Sequence, residues 1–170
     1  TDVTVTVGGD YSVVATGDAK ALERLKVVVK DGELQIGRKP GRMSWGRGGR
    51  TNIVVSMPTL NGAEVSSGAS LAVSGVEAGE LSVGASSGGS LDIDGVCEAL
   101  TLDVSSGGSI DADALKCKTA TADASSGGSA DIFATESISA DASSGGSIDV
   151  SGAPKQVSKE TSSGGSVSVK

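Results

Sequence analysis

Histidine is absent from the 170 residues, and the only aromatic side chains are Tyr11, Trp45 and Phe133. Without an imidazole the chain lacks the usual general base at neutral pH and the commonest zinc ligand, so Ser-His triads, Cys-His dyads and ordinary zinc sites are excluded. The shortage of rings excludes a core built on large aromatic anchors; with 26 glycines, the interior must be filled by small and aliphatic side chains. No apolar run approaches the roughly 18–20 residues that cross a bilayer, so no transmembrane segment is expected. The sequence opens at Thr1 and not at methionine. That leads us to expect a signal-peptide or lipoprotein leader ahead of it, hence export to the periplasm or cell surface, with lipid anchoring through that leader as one outcome.

Positive charge is scarce and unevenly placed. The formal net charge is −7, with nine Lys/Arg against six Asp/Glu in residues 1–60 and five against fifteen in 61–170. The two segments therefore carry +3 and −10. An acidic segment of this size repels phosphate backbones, so no nucleic-acid partner is expected.

What the chain does have is repetition. Ser66-Ser67-Gly68-Ala69-Ser70 returns as Ser-Ser-Gly-Gly-Ser beginning at Ser86, Ser105, Ser125, Ser143 and Ser162, at offsets of 20, 19, 20, 18 and 19 residues. A repeat this short, with β-branched and small residues between Gly turns and no long helical stripe, matches one coil of a β-solenoid. Apolar residues alternate with polar ones on both sides of the motif, as in Leu91/Ile93 after it and Leu100/Leu102/Val104 before the next. The reading is an all-β, right-handed parallel β-helix with roughly 19–20-residue coils, two strands per coil, a Gly-Gly corner and a variable second turn. Carried through the corner, the alternation turns the second serine inward, predicting a hydroxyl ladder at Ser67, Ser87, Ser106, Ser126, Ser144 and Ser163.

Residues 1–60 are read as the cap and first coils of the same solenoid, and 61–170 as the repeat. Strands are expected over Val3–Val7, Tyr11–Ala15, Val27–Lys30, Leu34–Ile36 and Ile53–Met57, with Asp31-Gly32 as a tight turn. Asp18 is expected to N-cap a short helix reaching Leu25. The last strand leads through Pro58 into the repeat.

This order of paired strands, with Asp31-Gly32-Glu33-Leu34-Gln35-Ile36, Ile53-Val54-Val55-Ser56-Met57-Pro58-Thr59-Leu60 and Ser-Gly corners ending in Ser162-Ser163-Gly164-Gly165-Ser166-Val167, resembles the bacterial auto-transporter adhesin head GIN domain family along essentially the whole chain. The resemblance implies a right-handed parallel β-helix, export, and an adhesive role, and it supplies no catalytic residues.

Four features are candidate sites. Asp92, Asp111, Asp131 and Asp149 recur two residues after successive motifs, and Glu64, Asp103, Asp123, Asp141 and Glu160 form a second row interrupted at Gly84. Stacking at about 4.8 Å makes either a solvated face that discourages aggregation or a ladder of carboxylates for calcium, the one cofactor considered. A calcium-binding nonapeptide array fails on register, because its aspartate follows its last glycine by two residues whereas here the spacing is three. Cys97 and Cys117 each lie eight residues before a motif and so stack in adjacent coils, either as a disulfide or as two reduced thiols in a turn. The basic loop 38–50 holds Arg38, Arg42, Trp45, Arg47 and Arg50, either as a solvated insertion or as a contact element for an acidic glycan or surface polymer.

The functional expectation is a non-catalytic adhesion or structural module, not an enzyme. One alternative is a self-assembling scaffold, with copies meeting head to tail. Another is a calcium-dependent, polysaccharide-lyase-like enzyme using Lys116 and Lys118 near Asp113, for which the repeat turns are too short to build a deep cleft.

Overall fold

A computed structural model describes residues 1–39 and 49–170. The strands are β1 Asp2–Val7, β2 Ser12–Gly17, β3 Leu25–Lys30, β4 Glu33–Arg38, β5 Thr51–Met57, β6 Gly62–Val65, β7 Ser70–Ala85, β8 Ser90–Val104, β9 Ser109–Ala124, β10 Ser129–Ala142, β11 Ser147–Ser151, β12 Gln156–Thr161 and β13 Ser166–Val169. Among the described residues the single helix is α1, Ala19–Glu23, and its N-cap Asp18 accepts a hydrogen bond from the Lys20 amide at 3.0 Å. The helix stops short of Leu25, which begins β3.

Strands β7 to β10 pair in parallel, each with the strand one coil away, and the stack continues through β11 and β13. This is a parallel β-helix. Within each of β7 to β10 the chain runs continuously from one Ser-Gly corner to the next. The expected second turn is instead a set of bends inside these long strands, marked by register shifts between Val73 and Val76, Asp92 and Gly95, and Ile132 and Phe133. Each coil thus has three legs: one after the corner, a short middle one carrying Cys97 or Cys117, and one leading into the next corner. Gly95 sits at the first bend with φ 137°, and an added Cβ would strike the Val76 backbone of the preceding coil.

The lumen is filled by the apolar half of the alternation. Leu91, Ile93, Leu100, Leu102, Val104, Ile110, Leu115, Ile132 and Ile148 are fully buried. Burying one such side chain contributes about 1.5–3 kcal/mol, and stacking identical phases coil upon coil makes that gain repeat.

The corner departs from the sequence reading. Ser67, Ser87, Ser106, Ser126, Ser144 and Ser163 all have φ between 47° and 58° and face solvent, and the glycine after each also has positive φ. With the hydrogen bond from the Gly89 amide to the Ser86 carbonyl (2.8 Å) and its equivalents, each corner has the form of a type I′ turn. Two left-handed residues break the simple alternation, so the inward position falls on the second glycine and there is no internal hydroxyl ladder. The ladder that exists is made of backbone: the Gly88 amide donates to the Ser106 carbonyl and the Gly107 amide to the Ser126 carbonyl, each at 3.2 Å.

The second glycine is required by close approach. A Cβ at Gly89 or Gly128 would lie 2.7 Å or 2.8 Å from the carbonyl oxygen of Val65 or Val104, one coil earlier. Ala69 occupies this place in the first motif, where no repeat corner precedes it.

The amino-terminal segment joins the stack out of sequence order. Although β5 leads through Pro58 toward β7, β1 lies between β5 and β7 in space, parallel to both, and β2 closes the edge antiparallel to β5. Hairpin β3–β4 forms a separate two-stranded sheet, turned at Asp31 (φ 54°) and Gly32 (φ 82°).

Candidate functional site

Strict register builds the two acidic rows. On the first leg, Ala72, Asp92, Asp111, Asp131, Asp149 and Ser168 are successive neighbours. On the third leg the order is Glu64, Gly84, Asp103, Asp123, Asp141 and Glu160. Partial burial, and then the charges of Asp149 and Asp111, raise the Asp131 carboxyl above its ordinary pKa. Asp123 is raised in the same way, by burial and then by Asp141 and Asp103. Burial, reinforced by like charges in a column that resist joint ionisation, thus makes Asp131 and Asp123 hold their protons more tightly. Among the described residues no three acidic or sulfur side chains converge in a metal-holding group, so Asp92, Asp111, Asp131 and Asp149 form a line and not a cage.

The cysteines lie in register on the middle legs of β8 and β9, with Cα atoms 4.5 Å apart, and are disulfide-bonded. Both face the core and not a turn, where they are 6% and 1% exposed. Lys116 and Lys118 also lie on β9 and not on a turn. Lys118 pairs with Glu98 at 2.6 Å, and this hydrogen-bonded carboxylate raises its pKa above the ordinary lysine value. A lysine held in its charged form is poorly suited to take a proton.

Of the basic loop, Arg38 and Arg50 lie within the described residues; Arg42, Trp45 and Arg47 lie outside them. Arg38 ends β4, and Arg50 accepts at its carbonyl from the Asp18 amide at 3.4 Å.

One site was missed by sequence reasoning. At the amino-terminal end, β1 and β5 supply only the first leg of a coil, and among the described residues no strand stacks beyond β6 on the third leg. Among these residues the lumen is therefore open on that side. Hairpin β3–β4 stands across the opening and leaves a cleft of about 1430 Å³. Its walls include Val3, Leu71 and Val73 from the coil and Val29, Leu34 and Ile36 from the hairpin. The signal was faint: Leu34 and Ile36 alternate with Glu33 and Gln35, but Val29 ends an unbroken Val27-Val28-Val29 run, and nothing local says which wall they face.

Among the described residues no helix is long and apolar enough to cross a membrane. Residues 1–154 match the family described as "Putative auto-transporter adhesin, head GIN domain". The chain belongs to that family. It is similar in structure to a putative adhesin from Bacteroides fragilis, with a TM-score of 0.77 at 20% identity, over 99% of this chain and 88% of the other. It is also similar to a putative lipid binding protein from Parabacteroides distasonis, with a TM-score of 0.60 at 16% identity, over 99% and 92%. At these identities the likeness is one of fold. No curated protein matches the chain in sequence.

Proposed function

We propose that this member of the adhesin head family is an exported, non-catalytic solenoid that serves as a surface adhesion or structural module. The observation that carries the reading is the division of charge: two acidic rows along a regular stack, and a basic segment, 38–50, joined to its amino-terminal end. Such a division favours capture of an acidic glycan or surface polymer by Arg38, Arg42, Trp45, Arg47 and Arg50, through contacts that weaken with salt. The pairing of Lys118 with Glu98 speaks against the lyase alternative. The test replaces the four arginines with serine and Trp45 with alanine, then measures binding to an acidic glycan at low and high salt. Loss of salt-sensitive binding in a folded variant is expected. Unchanged binding removes the loop from the reading.

A second reading, binding of an apolar ligand at the amino-terminal end, is favoured by the cleft. One structurally similar protein carries a lipid-binding description. Retention of a one-to-one amphiphile complex on gel filtration tests it; no complex with any amphiphile would exclude it.

A further inference from the structure

We infer that the amino-terminal cleft takes a single-chain anionic amphiphile, its tail between hairpin β3–β4 and the open lumen and its acid group on Arg38; this rests on the second reading above. Alternation along β4 puts Leu34, Ile36 and Arg38 on one face. Their cross-strand partners, Val29, Val27 and Leu25, lie on the same face of β3. The hairpin therefore presents an apolar stripe that ends in a guanidinium. Leu25, Leu34 and Ile36 pack against the core, whereas Val29 remains 70% exposed. A large valine surface on a cleft wall is what a bound tail would cover.

Size and charge narrow the ligand. The cleft is open to one side and has room for a flexible chain laid along the apolar stripe. From Leu34 to Arg38 the stripe spans about 14 Å at about 3.4 Å per residue, room for much of an extended acyl chain. Among the described lining residues Arg38 is the only Lys or Arg; the acids are Asp31, Glu33 and Glu64. Asp31 and Glu33 sit at the turn, the far end of the hairpin from Arg38. An acid head is thus attracted at one end of the stripe and repelled at the other, which fixes the direction of the chain. The planar fork of arginine matches a carboxylate with two parallel hydrogen bonds.

The experiment titrates the full chain with monomeric palmitate and with hexadecylamine, which share a tail and differ in head charge. The parent should bind one palmitate per chain, and more tightly than the amine. Arg38→Glu should weaken palmitate by about tenfold or more while leaving or improving the amine, since it removes a charge-assisted contact. Val29→Asn, which removes apolar surface at an exposed position without adding charge, should weaken both. If the parent binds neither amphiphile, the cleft reading and the inference fall together. If Val29→Asn weakens both ligands but Arg38→Glu changes neither, the cleft reading stands and the anionic assignment falls. If palmitate binding is indifferent to Val29→Asn, the site lies elsewhere and both fall.

Discussion

Lys159 stands in register with Ala140 at a position that faces the lumen in every preceding coil of the repeat. Val83, Leu102, Ala122 and Ala140 form that column and are all buried. A further coil of the same pattern would have to bury the Lys159 ammonium, at a cost of several kcal/mol if it remained unpaired. An inward charge on an outer strand is a recognised device against edge-to-edge pairing. This argues against the head-to-tail scaffold. Lys159→Val should associate more strongly with rising concentration than the parent chain does in sedimentation velocity; a variant that sediments like the parent at every concentration shows that another feature blunts this edge.

The acidic rows set a pH dependence. The Asp131 and Asp123 carboxyls are raised in the folded state, so the native protein binds more protons than the unfolded chain between the unfolded value, about 3.9, and the raised one. Their stabilising contribution is complete below the unfolded pKa and is lost as pH rises through the folded one. Asp123→Asn together with Asp131→Asn should therefore stabilise at pH 7, by about 0.2–1 kcal/mol per relieved pair, and have little effect near pH 3. Denaturant titrations at the two pH values decide it. Destabilisation at pH 7 would mean that the ionised groups bind something.

Two kinds of corner glycine should respond differently to alanine. Gly128 approaches the Val104 backbone, and Gly128→Ala should cost about 1–3 kcal/mol or more through overpacking. At Gly127 an added methyl meets open space but must accept φ 75°, so Gly127→Ala carries backbone strain alone, about 1–2 kcal/mol. Chemical denaturation of both variants gives the order; a larger loss at Gly127 would contradict the packing account.

The Cys97–Cys117 bond spans a separation of 20 residues. Protein prepared under oxidising conditions should show no free thiol and a mass two hydrogen atoms below the reduced form. Replacing both cysteines with alanine should lower stability by about 2–4 kcal/mol. Two thiols that react in the native, oxidatively prepared protein would count against the bond.

Features set by translation along the stack were legible in the sequence. One steady period puts Asp92 beside Asp111 and Cys97 beside Cys117 wherever strands pair in parallel, whatever the rest of the coil does. Features set by sign of φ or by strand order were not. Alternation assumes extended backbone, and the left-handed serine at each corner moved the inward place from Ser87 to Gly89. Nothing in Asp2–Val7 announces that it inserts between β5 and β7, and the cleft follows from that insertion and from the hairpin standing off the lumen.

The position of β1 has a kinetic side. Neighbouring coils of the repeat join residues about twenty apart, whereas Asp2 pairs with Asn52 on one side and Ser70 on the other. Closing these longer loops costs more entropy, and non-local pairings form slowly. The repeat can zip coil by coil from any point, but β1 must wait for both of its flanking strands. We expect β1 and β5 amides to gain protection from hydrogen exchange last during refolding, after those of β8 and β9; simultaneous protection would refute this order. It also makes assembly of the cleft a late event, so a chain arrested early would display its acidic shaft without a formed amino-terminal end.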